Sequence, residues 1–276
     1  MARNMATAGF ELRVWNRTPG RARPLADVGA RVAEKPADAV RDAAIVLTMV
    51  WDAAAVAAVI EQAADALSPG TVWLQTSTVG VEGIRRLADV ARARNLVLVD
   101  SPVLGTKQPA EAGQLVVLAS GLPEARAIAN PVFDAIGSRT LWVGDKPGPA
   151  SALKLVVNGW VATMVEGVAE ALVAARHLGL DPSLFFDAIH GGSLDAPYVG
   201  LKGRAMLDGN FAPAFPLAGL AKDVRLELDG VRSGRGREGE LGVIEAVKAH
   251  LDRGVAEGHG RLDVAATYLS HPGHRA

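Results

Sequence analysis

No cysteine occurs among the 276 residues, so disulfides, thiolate metal sites and a cysteine nucleophile are excluded together. Charge of one sign is also lacking. The 29 Lys and Arg are scattered and balanced by 30 Asp and Glu, for a net charge of -1. That leaves no basic footprint for nucleic acid or an anionic membrane. The opening "MARNMATAGF" has no apolar stretch of signal-peptide length, and no run of roughly 18 uncharged apolar residues occurs later. The expectation is a cytoplasmic protein whose partner is a small molecule or another copy of itself. A fourth absence is local: Asn16, Arg17 and Thr18 follow a short apolar stretch in the manner of a nucleotide-site edge, yet no glycine-rich loop lies upstream of them.

What is present is ample core material, 49% apolar and 21% charged, enough for one large domain or two ordinary ones. Up to residue 147, short apolar runs alternate with longer amphipathic ones. Strands are expected at Phe10–Trp15, Ala44–Val50, Thr71–Gln75, Leu96–Val99, Leu115–Leu118 and Thr140–Val143. Helices are expected at Ala53–Leu67, Gly83–Arg94 and Glu124–Ile136. This alternation predicts an α/β fold, a doubly wound, mainly parallel sheet of Rossmann type covered on both faces. "DKPGP" at 145–149 breaks the pattern. From there the strand signal stops, and residues 148–276 are expected to form an all-α domain. It should begin with one long helix over 150–178, closed by Gly179 as C-cap. Asp181-Pro182 then starts a further helix, with others around 217–229 and 243–257. "RSGRGREGE" at 232–240 reads as an exposed loop, because three glycines and five charges make no core face.

Several residues could carry chemistry. After the second strand of a dinucleotide fold, an acidic residue would favour NAD through the ribose hydroxyl, whereas Arg17 beside small polar groups can pair with the 2′-phosphate of NADP. The bland alternative is a surface arginine at a strand-to-turn junction. "DSPVLGTKQPAEAG" at 100–113 puts Asp-Ser-Pro at the carboxyl end of a strand, where open α/β sheets bind ligands. In "KLVVN", Lys154 and Asn158 are i and i+4 and project from one helix face amid Leu153, Leu155, Val156 and Val157. A lysine in such surroundings, its charged form poorly solvated, can serve as a general acid or base, with Asn158 holding a substrate oxygen beside it. The alternative is a snorkelling lysine with an exposed amide. Lys222-Asp223, taken alone, reads as a solvated pair of modest worth near a helix start. The six histidines, His177, His190, His250, His259, His271 and His274, show no metal-ligand spacing with acidic partners and read as surface residues.

Taken together, "VWNRTPGRA" (14–22), "LTMV" (47–50), "TSTV" (76–79), "DSPVLGTKQPAEAG", "KLVVN" and "LAKDV" (220–224) resemble the β-hydroxyacid dehydrogenase family over nearly the whole chain. That family includes 3-hydroxyisobutyrate dehydrogenase and glyoxylate/succinic semialdehyde reductases. The resemblance implies an NADP-dependent oxidoreductase, with NAD as the other option. Its parts would be a dinucleotide domain, a long interdomain helix and a 6-phosphogluconate dehydrogenase-like helical domain that makes a homodimer or homotetramer. By matching motifs, Lys154 stands for the catalytic lysine and Asn158 for its partner asparagine, acting on a small carbonyl or hydroxy compound. The same matching puts Asn16, Arg17, Thr18, Met49, Val50, Trp51, Thr78 and Lys222 at the cofactor, Val50-Trp51 replacing a Leu-Pro pair. No metal is implied.

The substrate loop departs from the family. Its usual Asp-Ala-Pro-Val-Ser-Gly-Gly offers a serine and a glycine to the substrate carboxylate, whereas here Leu104 replaces the serine, followed by Gly105, Thr106 and Lys107. Leucine donates no hydrogen bond, so Thr106 or Lys107 would have to substitute, and a bulkier or less polar carbonyl, or an imine, comes into view. The family also has a first strand and a Gly-x-Gly-x-x-Gly-like turn before a helix whose latter half resembles Met1–Ala8. The expectation is therefore a start codon assigned roughly fifteen residues too far downstream, leaving a longer natural protein. The competing reading is a truncated, non-catalytic relative that keeps only the dimerising helical domain.

Overall fold

Short apolar runs can be buried on both faces only inside a covered sheet, and the computed structural model, which describes residues 1–234 and 240–274, shows such a sheet in the first of two units. The units are Met1–Lys154 and Leu155–Ala276. In chain order the first contains α1 (Ala2–Thr7), β1 (Arg13–Val14), α2 (Pro19–Ala22), β2 (Arg31–Val32), α3 (Pro36–Val40), β3 (Ile45–Thr48) and α4 (Ala53–Gln62). Then come β4 (Val72–Gln75), α5 (Gly80–Ala93), β5 (Val97–Asp100), β6 (Val103–Leu104), α6 (Lys107–Glu111), β7 (Leu115–Ser120), α7 (Arg126–Ile136) and β8 (Gly137–Gly144). The long helix α8 (Pro149–His177) opens here, and the division into units falls inside it.

Strands β3, β4 and β5 are parallel and in simple register, Ile45 opposite Val72 and Val72 opposite Val97. β7 runs antiparallel to β5 and β6 and parallel to β8. β1 and β2 form a separate two-stranded parallel ladder. Side chains alternate across β4: Val72 and Leu74 join Val99, Val117 and Phe133 in one core, and Trp73 joins Val46, Ile60, Ile84 and Leu98 in the other. Trp73 meets its polar need inside that core, donating to Thr48 Oγ1 at 2.9 Å.

The second unit is helical: the remainder of α8, then α9 (Leu184–Ile189), α10 (Pro197–Leu207), α11 (Leu217–Ser233), α12 (Gly242–Ala256) and a tight helical turn at Val264–Ser270. One core joins Ala162, Val165, Val168, Ala169 and Leu172 of α8 to Leu217, Leu220, Val224, Leu228 and Leu251. α8 is apolar and long enough to cross a membrane by length and composition. Its spacing of buried residues and its buried Lys154, Asn158 and Glu166 are those of a core helix.

Several expected boundaries move. The strand expected at Phe10–Trp15 is confined to Arg13–Val14, and the helix expected to Leu67 ends at Gln62 before a single turn at Ala64–Ala66. β8 begins at Gly137, directly after α7, because Gly137 lies in extended backbone at the helix end. The elements β2, α3, β6, α6 and α10 had no counterpart in the sequence reading. Of the expected 232–240 loop, Arg232 and Ser233 end α11, whereas residues 235–239 lie outside the described residues.

Candidate active site

Lys154 and Asn158 lie one turn apart near the start of α8, and both are buried, at 9% and 3% exposure. Snorkelling with an exposed amide is thereby corrected: an i,i+4 pair facing the interior shares its burial. Asn158 is held in place, its Nδ2 donating to Asp223 Oδ2 at 2.6 Å. The other oxygen of Asp223 accepts from Lys222 Nζ, also at 2.6 Å. The solvated-pair reading of Lys222-Asp223 is corrected as well. Asp223 is buried in the second turn of α11, where its carboxylate joins two polar side chains into one network. With one Nδ2 proton spent on Asp223, Asn158 keeps a second N–H and its Oδ1 for another partner.

Glu227, one turn further along α11, packs its carboxyl against Gly159, next to Asn158. A Cβ at Gly159 would stand 2.2 Å from Glu227 Oε2, so only glycine admits this approach. Oε2 is buried without a hydrogen bond, and burial pushes the Glu227 pKa up to about 7. The family-like motif "LAKDV" drew attention to Lys222 and Asp223 but gave no warning of Glu227, whose partner is a glycine 68 positions earlier in the sequence.

The start of α8 is secured by a residue from β5. Asp100 accepts from Ser151 Oγ at 2.7 Å, from the Ser151 N–H at 2.8 Å and from the Gly148 N–H at 3.0 Å. Ser120 Oγ takes the Ala150 N–H at 3.1 Å, and Pro149 has no N–H to satisfy. The orphan donors of the helix start are thus met by side chains of two strands. Burial pushes the Asp100 pKa up to about 6, against the opposing pull of these hydrogen bonds. In the sequence Asp100 reads only as the strand-end residue of a loop; its capping role lies 51 positions away and leaves no local signature.

The substrate-loop residues follow directly. Leu104 belongs to β6 opposite Val116, and Gly105 turns the chain with φ +116, where a Cβ would meet Leu115 Cδ2 at 2.8 Å. Thr106 stands at the N-cap of α6 with no side-chain capping bond, and Lys107 is exposed, 4.0 Å from Glu111.

Apart from Lys222 on α11, the residues matched to the cofactor follow strand ends in the first unit. Asn16, Arg17 and Thr18 come after β1 and are exposed, with Asn16 Oδ1 accepting the Thr18 N–H at 2.9 Å ahead of the Pro19 helix start. After β3, Met49 and Trp51 are 51% and 52% exposed, large apolar surfaces at the carboxyl edge of the sheet. Between them the Val50 N–H is fixed by Ser77 Oγ at 2.9 Å, and Asp52 caps α4 through the Ala55 N–H at 2.8 Å. Half-buried Thr78 follows β4. An exposed arginine after β1 and exposed apolar surface after β3 are the kinds of side chain that could take the phosphate-bearing and flat aromatic parts of a dinucleotide.

The histidines require a further correction. His177 and His190 are exposed, and His259 and His274 half-buried. His271, however, is buried and His250 partly so, and both meet Glu166 of α8. Acidic partners exist, supplied by the fold from 84 and 105 positions away.

Residues 1–144 match the family model described as the NAD binding domain of 6-phosphogluconate dehydrogenase, and residues 148–269 match that described as NAD-binding of NADP-dependent 3-hydroxyisobutyrate dehydrogenase. Over 231 residues, 83% of this chain, it is 32% identical to glyoxylate/succinic semialdehyde reductases 2 (chloroplastic) and 1 of Arabidopsis thaliana. The match spans 64% of the first and 80% of the second. The fold is that of a 3-hydroxyisobutyrate dehydrogenase from Salmonella typhimurium, with TM-score 0.89, 23% identity, and coverage of 98% of this chain and 94% of that one.

Proposed function

The chain belongs to the β-hydroxyacid dehydrogenase family of NAD(P)-dependent oxidoreductases, and on that premise we propose that it reduces a small carbonyl compound with NADPH, or oxidises the corresponding alcohol, using Lys154 as general acid and base. The observation that carries this is the buried pair Lys154 and Asn158 on one face of α8, with the amide of Asn158 fixed by Asp223.

The nicotinamide supplies the hydride when bound. In reduction, the Lys154 ammonium donates a proton to the carbonyl oxygen; in oxidation, the neutral amine accepts it back. Asn158 orients that oxygen through its second Nδ2 proton. Asp223 keeps the amide from rotating, so the donor is already aimed before substrate arrives. Lys222 donates to the other oxygen of Asp223 and so fixes that carboxylate from its second side. Arg17 after β1 favours the 2′-phosphate of NADP over NAD. Substitution of leucine for the loop serine at 104 removes a carboxylate-binding hydroxyl, which supports a carbonyl substrate less polar than a small hydroxyacid.

Titration with NADPH and NADH, followed by fluorescence, tests the cofactor assignment; failure of both to bind would sink it. A panel of aldehydes, 2-keto acids, 3-oxo acids and cyclic imines identifies the substrate class. With the best substrate, Lys154→Ala is expected to lower turnover by about 10²- to 10⁴-fold while leaving NADPH affinity unchanged. Turnover near that of the unsubstituted chain would remove Lys154 from its role.

A further inference from the structure

Away from Lys154, in the helical unit, Glu166 and Glu170 of α8, His250 of α12 and His271 after the last helical turn bring one ligand atom each to within 4.8 Å of one another. We propose that this cluster is a site for a single divalent first-row transition ion of the zinc class, which ties the middle of α8, α12 and the C-terminal segment together.

The geometry is that of a set of donors gathered around a point. His250 Nδ1 and His271 Nε2 both turn toward the same oxygen, Glu166 Oε1. The two ring nitrogens are 3.4 Å apart. That matches the edge, about 3.3 Å, of a tetrahedron whose ligands lie about 2.0–2.1 Å from its centre. The second oxygen of Glu166 accepts the Thr267 hydroxyl at 2.8 Å, the kind of outer hydrogen bond that orients a metal-bound carboxylate. Glu170, one turn from Glu166 on the same face, is exposed and supplies the fourth donor from the solvent side, where an ion would enter.

Chemistry and charge agree with the geometry. Two imidazoles and two carboxylates are the donors that zinc, cobalt and nickel accept. Two carboxylates also neutralise a dication fully, which matters because Glu166 and His271 are buried. With the ion in place, the lone pairs of His250 Nδ1 and His271 Nε2 point inward and the ring protons move to the other nitrogens. The carboxylate of Glu166 withdraws by less than one bond length to make room. Residues at this cluster come from positions as much as 105 apart, so the ion cross-links segments that no covalent bond joins. Among the described residues it is the one such cluster.

The test uses the full chain, free of any histidine tag and stripped with a chelator, titrated calorimetrically with zinc chloride and, separately, with cobalt chloride. One ion per chain is expected, bound at micromolar concentration or tighter, with a rise in melting temperature and the intense visible bands of tetrahedral cobalt. Glu170→Gln, an exposed position that folding tolerates, and His250→Asn are each expected to weaken binding by about tenfold or more and to leave oxidoreductase turnover unchanged. The proposal is overturned if the unsubstituted chain binds zinc only at millimolar concentration, or if both variants bind it as tightly. Either result would mean that Glu166 and the two histidines are a hydrogen-bonded structural triad alone.

Discussion

Asp263 shows how one buried charge is compensated. It accepts from Lys202 Nζ at 2.7 Å and from the backbone N–H groups of Ala214, Phe215 and Ala265. Burial works against its ionised form, but these donors outweigh it and hold the carboxyl below the usual range. Lys202→Ala removes the only full positive charge among those donors, and a loss of about 3–5 kcal/mol is expected in urea denaturation. Glu227 is the opposite case, with no donor on its buried Oε2 and a pKa raised to about 7. A raised carboxyl binds more protons folded than unfolded, so its contribution is fully present below its ordinary value of 4.5 and is lost as pH rises through about 7. Asp100 does the same between 3.8 and about 6. Glu227→Gln should therefore flatten the decline in urea midpoint between about pH 4.5 and about pH 7, most cleanly between about pH 6 and 7, and leave below that only the part that Asp100 contributes. An unchanged slope across neutrality would show that Glu227 is ionised without penalty. The shared helix face of Lys154 and Asn158 was legible because four-residue spacing on a helix is a local property. Asp223, Glu227 and the Glu166 histidines were not: each acquires its meaning from a partner 65 or more positions away.

Among elements, α8 was the most legible, since twenty-nine residues give eight turns over which an apolar face repeats, and Gly179 beyond it takes the left-handed backbone expected of a C-cap, at φ 74. Two-residue strands such as β2 and β6 carry a single alternation, and the five-residue helices α3 and α6 little more than one turn. Neither length can be told from loop by periodicity. β7 and β8 were longer than expected because their ends include Ser120, Gly137 and Gly144, residues paired by the ladder despite poor strand propensity. The start of α8 lacks a sequence-adjacent cap, and Asp100 and Ser120 of β5 and β7 take its place. Asp100→Ala is expected to cost about 1–2 kcal/mol of stability. Because Lys154 lies one turn from that end, turnover should also fall, and by more than NADPH affinity; equal losses in both would argue for general unfolding rather than displacement of the lysine.

For the whole molecule, alternating strands and helices followed by helices alone were readable from periodicity, and six ordered motifs carried the family. The antiparallel placement of β7 was not, since strand direction depends on connections rather than on composition. Binding of NADPH should stabilise the folded chain by about 2.7 kcal/mol at a hundred times its dissociation constant. Scanning calorimetry with and without NADPH reads this directly, and no shift at saturating concentration would contradict cofactor binding. The division between the two units runs through α8, after Lys154 and before Asn158. Cutting the gene at the structural seam would thus send Lys154, the proposed proton donor, into one polypeptide and Asn158, its proposed orienting amide, into the other. Neither fragment, however well it folded, would inherit the pair, so the modules of folding and the proposed module of chemistry do not share a border.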